Sequence, residues 1–315
     1  MIKFTSAKDV NNIHQLVDSA LSLKSDPFAF QHLGENRTLG LIFLNPSLRT
    51  RMSTQKAACN LGMNVIVLNM DKDSWALETR EGVIMDGDKA EHAKEAVAVM
   101  GQYCDIIGVR SFPGLQNREA DYNEEMLNLF LKYSGVPVVS LESATRHPLQ
   151  SLADLVTIQE LKKVEKPKIV LTWAPHIKAL PQAVPNSFAE WVISAGYDLT
   201  ITHPGGYELA EEFRRGAKIE NDQIKALEGA DFVYVKNWSS YSEYGKIITH
   251  NPEWTFNNAK LSVTNNAKVM HCLPVRRNLV IADEILDGPN SAVIQEAGNR
   301  EYAAQAVLKM MLENL

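Results

Sequence analysis

Short apolar runs alternate along this chain with longer stretches whose apolar positions recur every three to four residues. The short runs predict buried strands and the longer period predicts helices. A strand is expected at Leu39–Leu44, followed by a helix over Arg49–Asn60 that stops near Gly62. A strand over Asn64–Met70 comes next, then helical spacing over Glu91–Cys104 and a strand at Asp105–Ser111. A helix over Tyr122–Tyr133 ends at Gly135 and leads to a strand at Pro137–Leu141. The pattern then repeats with helix Pro148–Lys163, strand Lys168–Trp173, helix Asn186–Ala195 and strand Asp198–His203. Gln223–Leu227 belongs to a further helix, Asp231–Val235 and Val269–Cys272 are strands, and Glu296–Leu315 is a closing helix. Such alternation predicts an α/β chain with two doubly wound parallel sheets, helices on both faces and right-handed crossovers. The boundary is expected near residues 142–150, giving domains over 1–146 and 147–295. Asn237–Lys260 holds Trp238, Tyr241, Tyr244 and Trp254 with weak periodicity, and reads as a long loop.

In doubly wound sheets, ligands sit beyond the carboxyl ends of the strands. Polar clusters fall at those ends: Asn45-Pro46-Ser47, Arg110-Ser111, Glu142–His147, Ala174-Pro175-His176, Lys236-Asn237-Trp238 and His271-Cys272-Leu273-Pro274. Ser47-Leu48-Arg49-Thr50-Arg51 follows a strand and opens a helix. The first N–H groups of a helix lack internal partners, and its dipole favours an anion there. Arg49 or Arg51 can add a fork of donors for phosphate oxygens. Read alone, the pentapeptide fits equally well an ordinary capped helix whose arginines face water. Arg110 at the mouth of a buried strand faces either a ligand or a structural partner. Pro148 suits the first position of a helix, which sets His147 at its amino end. A helix start favours a neutral imidazole that can polarise a carbonyl; a capping or packing histidine is the plainer alternative.

Composition narrows the classes. The chain has 315 residues, 45% hydrophobic and 22% charged, and a formal net charge of -6. An acidic chain without a basic block argues against nucleic acid or an anionic membrane as its main partner. No apolar run approaches the ~18 residues of a membrane helix. The start MIKFTSAKDVNNIHQ has no signal-peptide core, so a cytoplasmic location is expected. Cys59, Cys104 and Cys272 are too scattered for a disulfide framework or a zinc cluster, and no metal site is expected. Neither a G-x-x-x-x-G-K-[ST] loop nor a G-x-G-x-x-G after a strand is present, which disfavours nucleotide binding and dehydrogenase chemistry.

Taken in order, Ser47-Leu48-Arg49-Thr50-Arg51, His147-Pro148-Leu149-Gln150 and His271-Cys272-Leu273-Pro274 resemble the aspartate/ornithine carbamoyltransferase family, over essentially the whole chain. The resemblance implies a carbamoyl-phosphate domain and an amino-acid domain joined by long helices. The last helix, about 296–315, packs back on the first domain. It implies a homotrimer with shared active sites, small-molecule substrates and no cofactor. Ser47, Leu48, Arg49 and Thr50 would form the phosphate loop. Arg110, His147 and Gln150 would contact the carbonyl and the carbamoyl nitrogen. Cys272 and Leu273 would line the second-domain side, Arg300 would add a cation, and Trp75 would reach in from a neighbouring subunit. Thr50, Arg110 and His147 are the candidates for holding the carbonyl oxygen. Cys272 is expected to contact the amine or carbamoyl nitrogen; no Cys–His–acid trio supports a covalent role.

No S-M-G segment is present, and the corresponding region reads VYVKNWSSY. The stretches WALETREGVIMDGD, TWAPH, PQAVPNSFAEW and VTNNAKVMHCLPVRRN resemble the branch acting on N-acylated ornithines. Glu142, His176, Lys236 and Arg276 would then meet the acylated amino acid. The acetyl-specific members carry a lysine at the position of Val280, where the succinyl members share the valine, and a glutamate at that of Ala90, where the succinyl members have proline, so Ala90 matches neither. An acidic wall repels a succinyl carboxylate and an uncharged one does not. The expectation is therefore transfer to the δ-amine of N-succinylornithine, ahead of N-acetylornithine, in arginine biosynthesis. A non-catalytic carbamoyl-phosphate-binding subunit would be expected to lose one of Arg49, Arg110, His147 or Cys272, and all four are present.

Overall fold

A computed structural model describes residues 2–315. Its strands are β1 (Lys3–Phe4), β2 (Thr38–Phe43), β3 (Asn64–Asn69), β4 (Leu77–Glu78), β5 (Glu91–His92), β6 (Ile106–Arg110), β7 (Val138–Glu142), β8 (Ile169–Trp173), β9 (Leu199–Thr202), β10 (Lys218–Ile219), β11 (Phe232–Lys236) and β12 (Lys268–Met270). Its α-helices are α1 (Ile13–Ser25), α2 (Leu48–Asn60), α3 (Ala93–Tyr103), α4 (Arg118–Tyr122), α5 (Glu125–Tyr133), α6 (Pro148–Leu161), α7 (Ala183–Ser194), α8 (Glu211–Arg214), α9 (Gln223–Leu227), α10 (Asn258–Leu261), α11 (Asp283–Leu286) and α12 (Val293–Leu312). One parallel sheet runs β1-β7-β6-β2-β3 and a second runs β10-β9-β8-β11-β12, with β4 and β5 as a separate parallel pair. Each sheet reverses its strand order near the middle, which opens a crevice at the carboxyl ends.

The strands form where apolar runs can be covered on both faces. Leu39, Leu41, Ile42 and Phe43 of β2 are all buried. Ser47 caps α2 by accepting the Thr50 N–H at 3.3 Å, and Gly62 ends that segment at φ +83°, a backbone that glycine adopts without strain. Every residue from Pro148 to Ile158 of α6 is buried, so this helix lies inside the molecule rather than on its surface. The helix α12 lies against α1, α2 and α6, and α6 lies against α7, so two long helices tie the sheets together. Phe4 of the first sheet packs on Trp191 of α7 with ring centroids 5.6 Å apart, a contact worth about 1 kcal/mol beyond its buried area. No helix among the described residues is long and apolar enough to cross a membrane.

The predicted helix over 122–133 is two helices. Glu124 interrupts it with a left-handed backbone, φ 52° and ψ 40°. That conformation costs a non-glycine residue roughly 1 kcal/mol. Its carboxylate offsets the cost by accepting from Ser143 Oγ at 2.7 Å, Thr145 N at 2.8 Å and Ala144 N at 3.1 Å. The break thereby anchors the loop that leads to His147. The segment after β11 runs without helix or strand to Asn251 and then holds a 3-10 turn at Pro252–Trp254 and α10.

Candidate active site

The carboxyl ends of β2, β6 and β7 and the amino ends of α2 and α6 meet in one place, and α12 crosses behind them. Thr50 Oγ1 stands at its centre. It accepts from Arg300 Nη2 at 2.6 Å and from Arg110 Nη1 at 3.3 Å. Arg110 also donates to Glu142 Oε2. His147 Nε2 lies 3.3 Å from the same carboxylate oxygen, and the His147 backbone N–H donates to Ser187 Oγ at 3.0 Å. Burial holds the His147 imidazole well below its usual range, and the charges of Arg300, Arg110 and Arg49 lower it further. The ring is therefore neutral.

Charge in this cluster is unbalanced. Arg49, Arg110 and Arg300 converge, and Glu142 pairs directly with Arg110 and acts on the other two through its charge. Arg49 Nε, Arg110 Nε and His147 Nδ1 are buried without hydrogen-bond partners. Burial lowers the Arg49 guanidinium below its ordinary value, with repulsion from Arg110 adding to it. Leu48 is 70% exposed, so the start of α2 faces outward with N–H groups that no preceding turn can satisfy. Surplus cations, unpartnered donors and a helix start together form a receptor for an oxyanion.

The second sheet supplies the opposite wall. His271 is buried; its backbone N–H donates to Glu296 Oε2 at 2.8 Å, and its Nδ1 accepts from Leu273 N at 2.8 Å. These bonds fold the His271–Pro274 segment and hold Cys272 inward. Burial pushes the Cys272 thiol up to about 11, partly offset by Lys236, so the sulfur is a protonated thiol near neutral pH. Lys236 is buried at the end of β11. His176 follows β8, and its Nε2 accepts from Arg276 Nε at 3.2 Å. The two neighbouring arginines are distinct: Arg277 is bound to Asp283 and Asp287, whereas the guanidinium of Arg276 meets His176.

Of the residues singled out from sequence, Thr50, Arg110, Glu142, Gln150 and Arg300 are linked by direct hydrogen bonds or ion pairs, and His147 Nε2 lies against Glu142. Glu142, expected on the amino-acid side, sits with the arginines. Trp75 is 56% exposed and donates its indole N–H to Glu91 at 3.0 Å, with Ala90 exposed beside it. Among the described residues, no hydrogen bond or ion pair ties either of them to the cluster within one chain. Val280 is buried in the second sheet's core with Phe256 and Val269. The sequence reading missed Asp154 and Glu296, whose carboxyls receive the Gln150 amide. Their signal is spacing: Asp154 lies four residues after Gln150 and Glu296 four before Arg300, each pair on one helix face. Among the described residues no group of histidine, cysteine and acidic side chains is arranged to hold a metal.

The chain is similar to known proteins along its whole length. Residues 3–160 match the carbamoyl-P binding domain of aspartate/ornithine carbamoyltransferase, and residues 181–311 match its Asp/Orn binding domain. It is 56% identical to the N-succinylornithine carbamoyltransferase of Bacteroides thetaiotaomicron, covering 100% of both chains. It is 36% identical to the N-acetylornithine carbamoyltransferase of Xylella fastidiosa, over 92% of this chain and 93% of that one. A crystal structure of an N-acetyl-L-ornithine transcarbamylase superposes with a TM-score of 0.93 at 33% identity, covering 99% of this chain and 100% of that one. That structure is a glutamate-to-alanine mutant complexed with carbamyl phosphate and N-succinyl-L-norvaline. An anion receptor between two parallel sheets, in a chain matched by both family domains, identifies this protein as a member of the aspartate/ornithine carbamoyltransferase family.

Proposed function

We propose that this carbamoyltransferase moves the carbamoyl group of carbamoyl phosphate to the δ-amine of N-succinyl-L-ornithine, giving N-succinyl-L-citrulline and phosphate. The observation that carries the reading is the gathering of Arg49, Arg110 and Arg300 around Thr50 at the start of α2, with buried donors left unpartnered. The phosphate occupies the N–H groups of Ser47, Leu48, Arg49 and Thr50 and the arginine side chains. Thr50, Arg110 and His147 surround the carbonyl oxygen, and Gln150 meets the carbamoyl nitrogen. The free amine attacks the carbonyl carbon, charge grows on the oxygen beside these donors, the C–O bond to phosphate breaks, and the leaving phosphate takes the proton that the amine gives up. Cys272 and Leu273 enclose the reacting group from the second domain. Orientation of the two substrates supplies much of the acceleration.

Lys236 and Arg276 neutralise the carboxylates of the acceptor, with His176 holding Arg276 in place. Glu142 orients the attacking amine. Ala90 gives an uncharged wall, and the glutamate-to-alanine acetyl enzyme with a bound succinyl analogue supports a succinyl group there. Leu48, Met52, Ile66, Trp75, Ile84 and Met85 leave an exposed apolar surface on the first domain, which supports a homotrimer in which Trp75 and Ala90 complete a neighbour's site. The domain division falls between residues 146 and 147, with α12 returning to the first domain. The chain acts in the cytoplasm, in arginine biosynthesis, without a cofactor and without nucleic acid or membrane partners.

The test supplies carbamoyl phosphate with ornithine, N-acetylornithine, N-succinylornithine or aspartate in separate assays and measures each ureido product. Succinylcitrulline should dominate; a higher kcat/KM with any other acceptor refutes the assignment. Ala90→Glu should lower use of the succinyl substrate more than the acetyl one, and an unchanged preference ratio removes the wall.

A further inference from the structure

The side-chain amide of Gln150 is fully enclosed, and its orientation is dictated by its neighbours. Nε2 donates to Asp154 Oδ1 at 2.8 Å and to Glu296 Oε1 at 3.0 Å, while Oε1 accepts from Arg300 Nη1. A guanidinium only donates, and carboxyl oxygens are the natural acceptors for an amide NH2. Turning the amide over would set donor against donor at Arg300 and leave its oxygen facing two acidic groups. The carbonyl end of Gln150 therefore belongs on the arginine side, next to Thr50, and the NH2 end belongs on the far side.

We infer that Glu296, with Asp154 beside it, is a positioning residue that fixes the Gln150 amide so that its carbonyl oxygen, and not its NH2, is presented to the acyl phosphate. An acceptor at that point is satisfied by the NH2 of carbamoyl phosphate and meets only a methyl group in acetyl phosphate. A site built around a buried acceptor discriminates strongly against a ligand that leaves the acceptor unpaired. This inference rests on the proposed contact between Gln150 and the carbamoyl nitrogen, and it adds what makes that contact selective.

The two acids are not equivalent. Glu296 has both oxygens committed, Oε1 to Gln150 and Oε2 to the His271 N–H at 2.8 Å. Asp154 Oδ2 and the hydroxyl of the buried Tyr234 nearby both lack a hydrogen-bond partner. Burial raises both carboxyls above the ordinary range, and the Asp154 carboxylate raises Glu296 further, so the pair retains a proton and acts through its acceptor geometry more than through charge.

Glu296→Gln keeps the shape but places an NH2 against either the His271 N–H or the Gln150 NH2, since both oxygen positions are already acceptors. Asp154→Asn can keep its carbonyl toward Gln150 and turn its NH2 toward Oδ2's open side. The experiment measures KM for carbamoyl phosphate and the inhibition constant of acetyl phosphate in wild type, Glu296→Gln, Asp154→Asn and Gln150→Leu. The preference for carbamoyl over acetyl phosphate should fall at least about tenfold in Glu296→Gln and stay near wild type in Asp154→Asn. A wild-type preference in Glu296→Gln, or an equal fall in both acid variants, overturns the inference. An unchanged preference in Gln150→Leu instead refutes the Gln150 contact itself. Neutron diffraction from wild-type crystals with carbamoyl phosphate needs no variant. Deuterons of the Gln150 amide directed at Asp154 and Glu296 support the inference, and deuterons directed at the ligand overturn it.

Discussion

Replacing Glu142 with glutamine should weaken the empty protein and tighten its hold on phosphate at the same time. Glu142 is buried, accepts from Arg110 and lies 3.3 Å from His147 Nε2. Removing one partner of a buried ion pair costs about 3–5 kcal/mol, because the remaining charge is left uncompensated. Glutamine keeps an oxygen for Arg110, so the loss should fall at the lower end, about 3 kcal/mol. With phosphate bound the sign reverses. A phosphate charge ~6 Å from the carboxylate, at an effective dielectric of about 20, is repelled by about 3 kcal/mol. Relief of that repulsion corresponds to roughly a hundredfold tighter phosphate binding. Thermal and urea unfolding of both proteins, with and without inorganic phosphate, should show a lower midpoint for Glu142→Gln alone and a larger upward shift with the anion. The kcat should drop, because in the proposed mechanism the amine loses its orienting carboxylate. A variant that binds phosphate no more tightly than wild type would show that Glu142 lies outside the field of the phosphate site, and the charge reasoning fails.

Arg49→Ala should lower kcat/KM by about 10²–10³ or more while light scattering reports the same assembly as wild type; wild-type turnover would contradict the phosphate-loop assignment. Cys272, with its thiol raised to about 11, should be only about one part in 10³ thiolate at pH 8. Mass spectrometry after brief iodoacetamide treatment should find label on the exposed Cys59 and none on Cys272, and rapid labelling of Cys272 refutes the buried thiol. Asp154 has a folded pKa above its unfolded value, so its contribution is fully present below about pH 4 and is lost as pH rises through the folded value. Asp154→Asn removes that penalty and should gain on wild type with rising pH, by up to about 1.4 kcal/mol per pH unit within that window. Urea unfolding at pH 5 and pH 8 measures the difference, and a pH-independent one excludes a retained proton.

Much of the architecture is legible because it is local. The run Leu39–Leu44, the cap at Ser47 and the stop at Gly62 lie within a few residues of one another, and each element forms close to its expected position. Ile13, Leu16, Val17, Ala20 and Leu23 have the same helical period and mark α1, which the alternation beginning at Leu39 leaves out. The break at Glu124 is not legible, because what stabilises its left-handed backbone is a loop some twenty residues later. The candidate site divides the same way. Ser47–Arg51 and His147–Gln150 are visible as runs at element starts. The links from Gln150 to Glu296 and Arg300 cross 146 and 150 residues, and nothing near Gln150 in sequence announces them. Arg276 and Arg277 are indistinguishable as a dipeptide and separate only once Asp283 and Asp287 fold back on one of them.

The hydrogen bond from Arg300 to Thr50 spans 250 residues. Synthesis delivers the start of α2 early and the buried Arg300 guanidinium that meets it much later, so a growing chain carries half of this cluster for most of its time on the ribosome. The pocket cannot close before α12 has docked, and long-range closure of this kind is slow compared with forming either sheet's local crossovers. Anion affinity should therefore appear last during refolding, later than helical content, and mark the moment at which the two ends of the polypeptide have found each other.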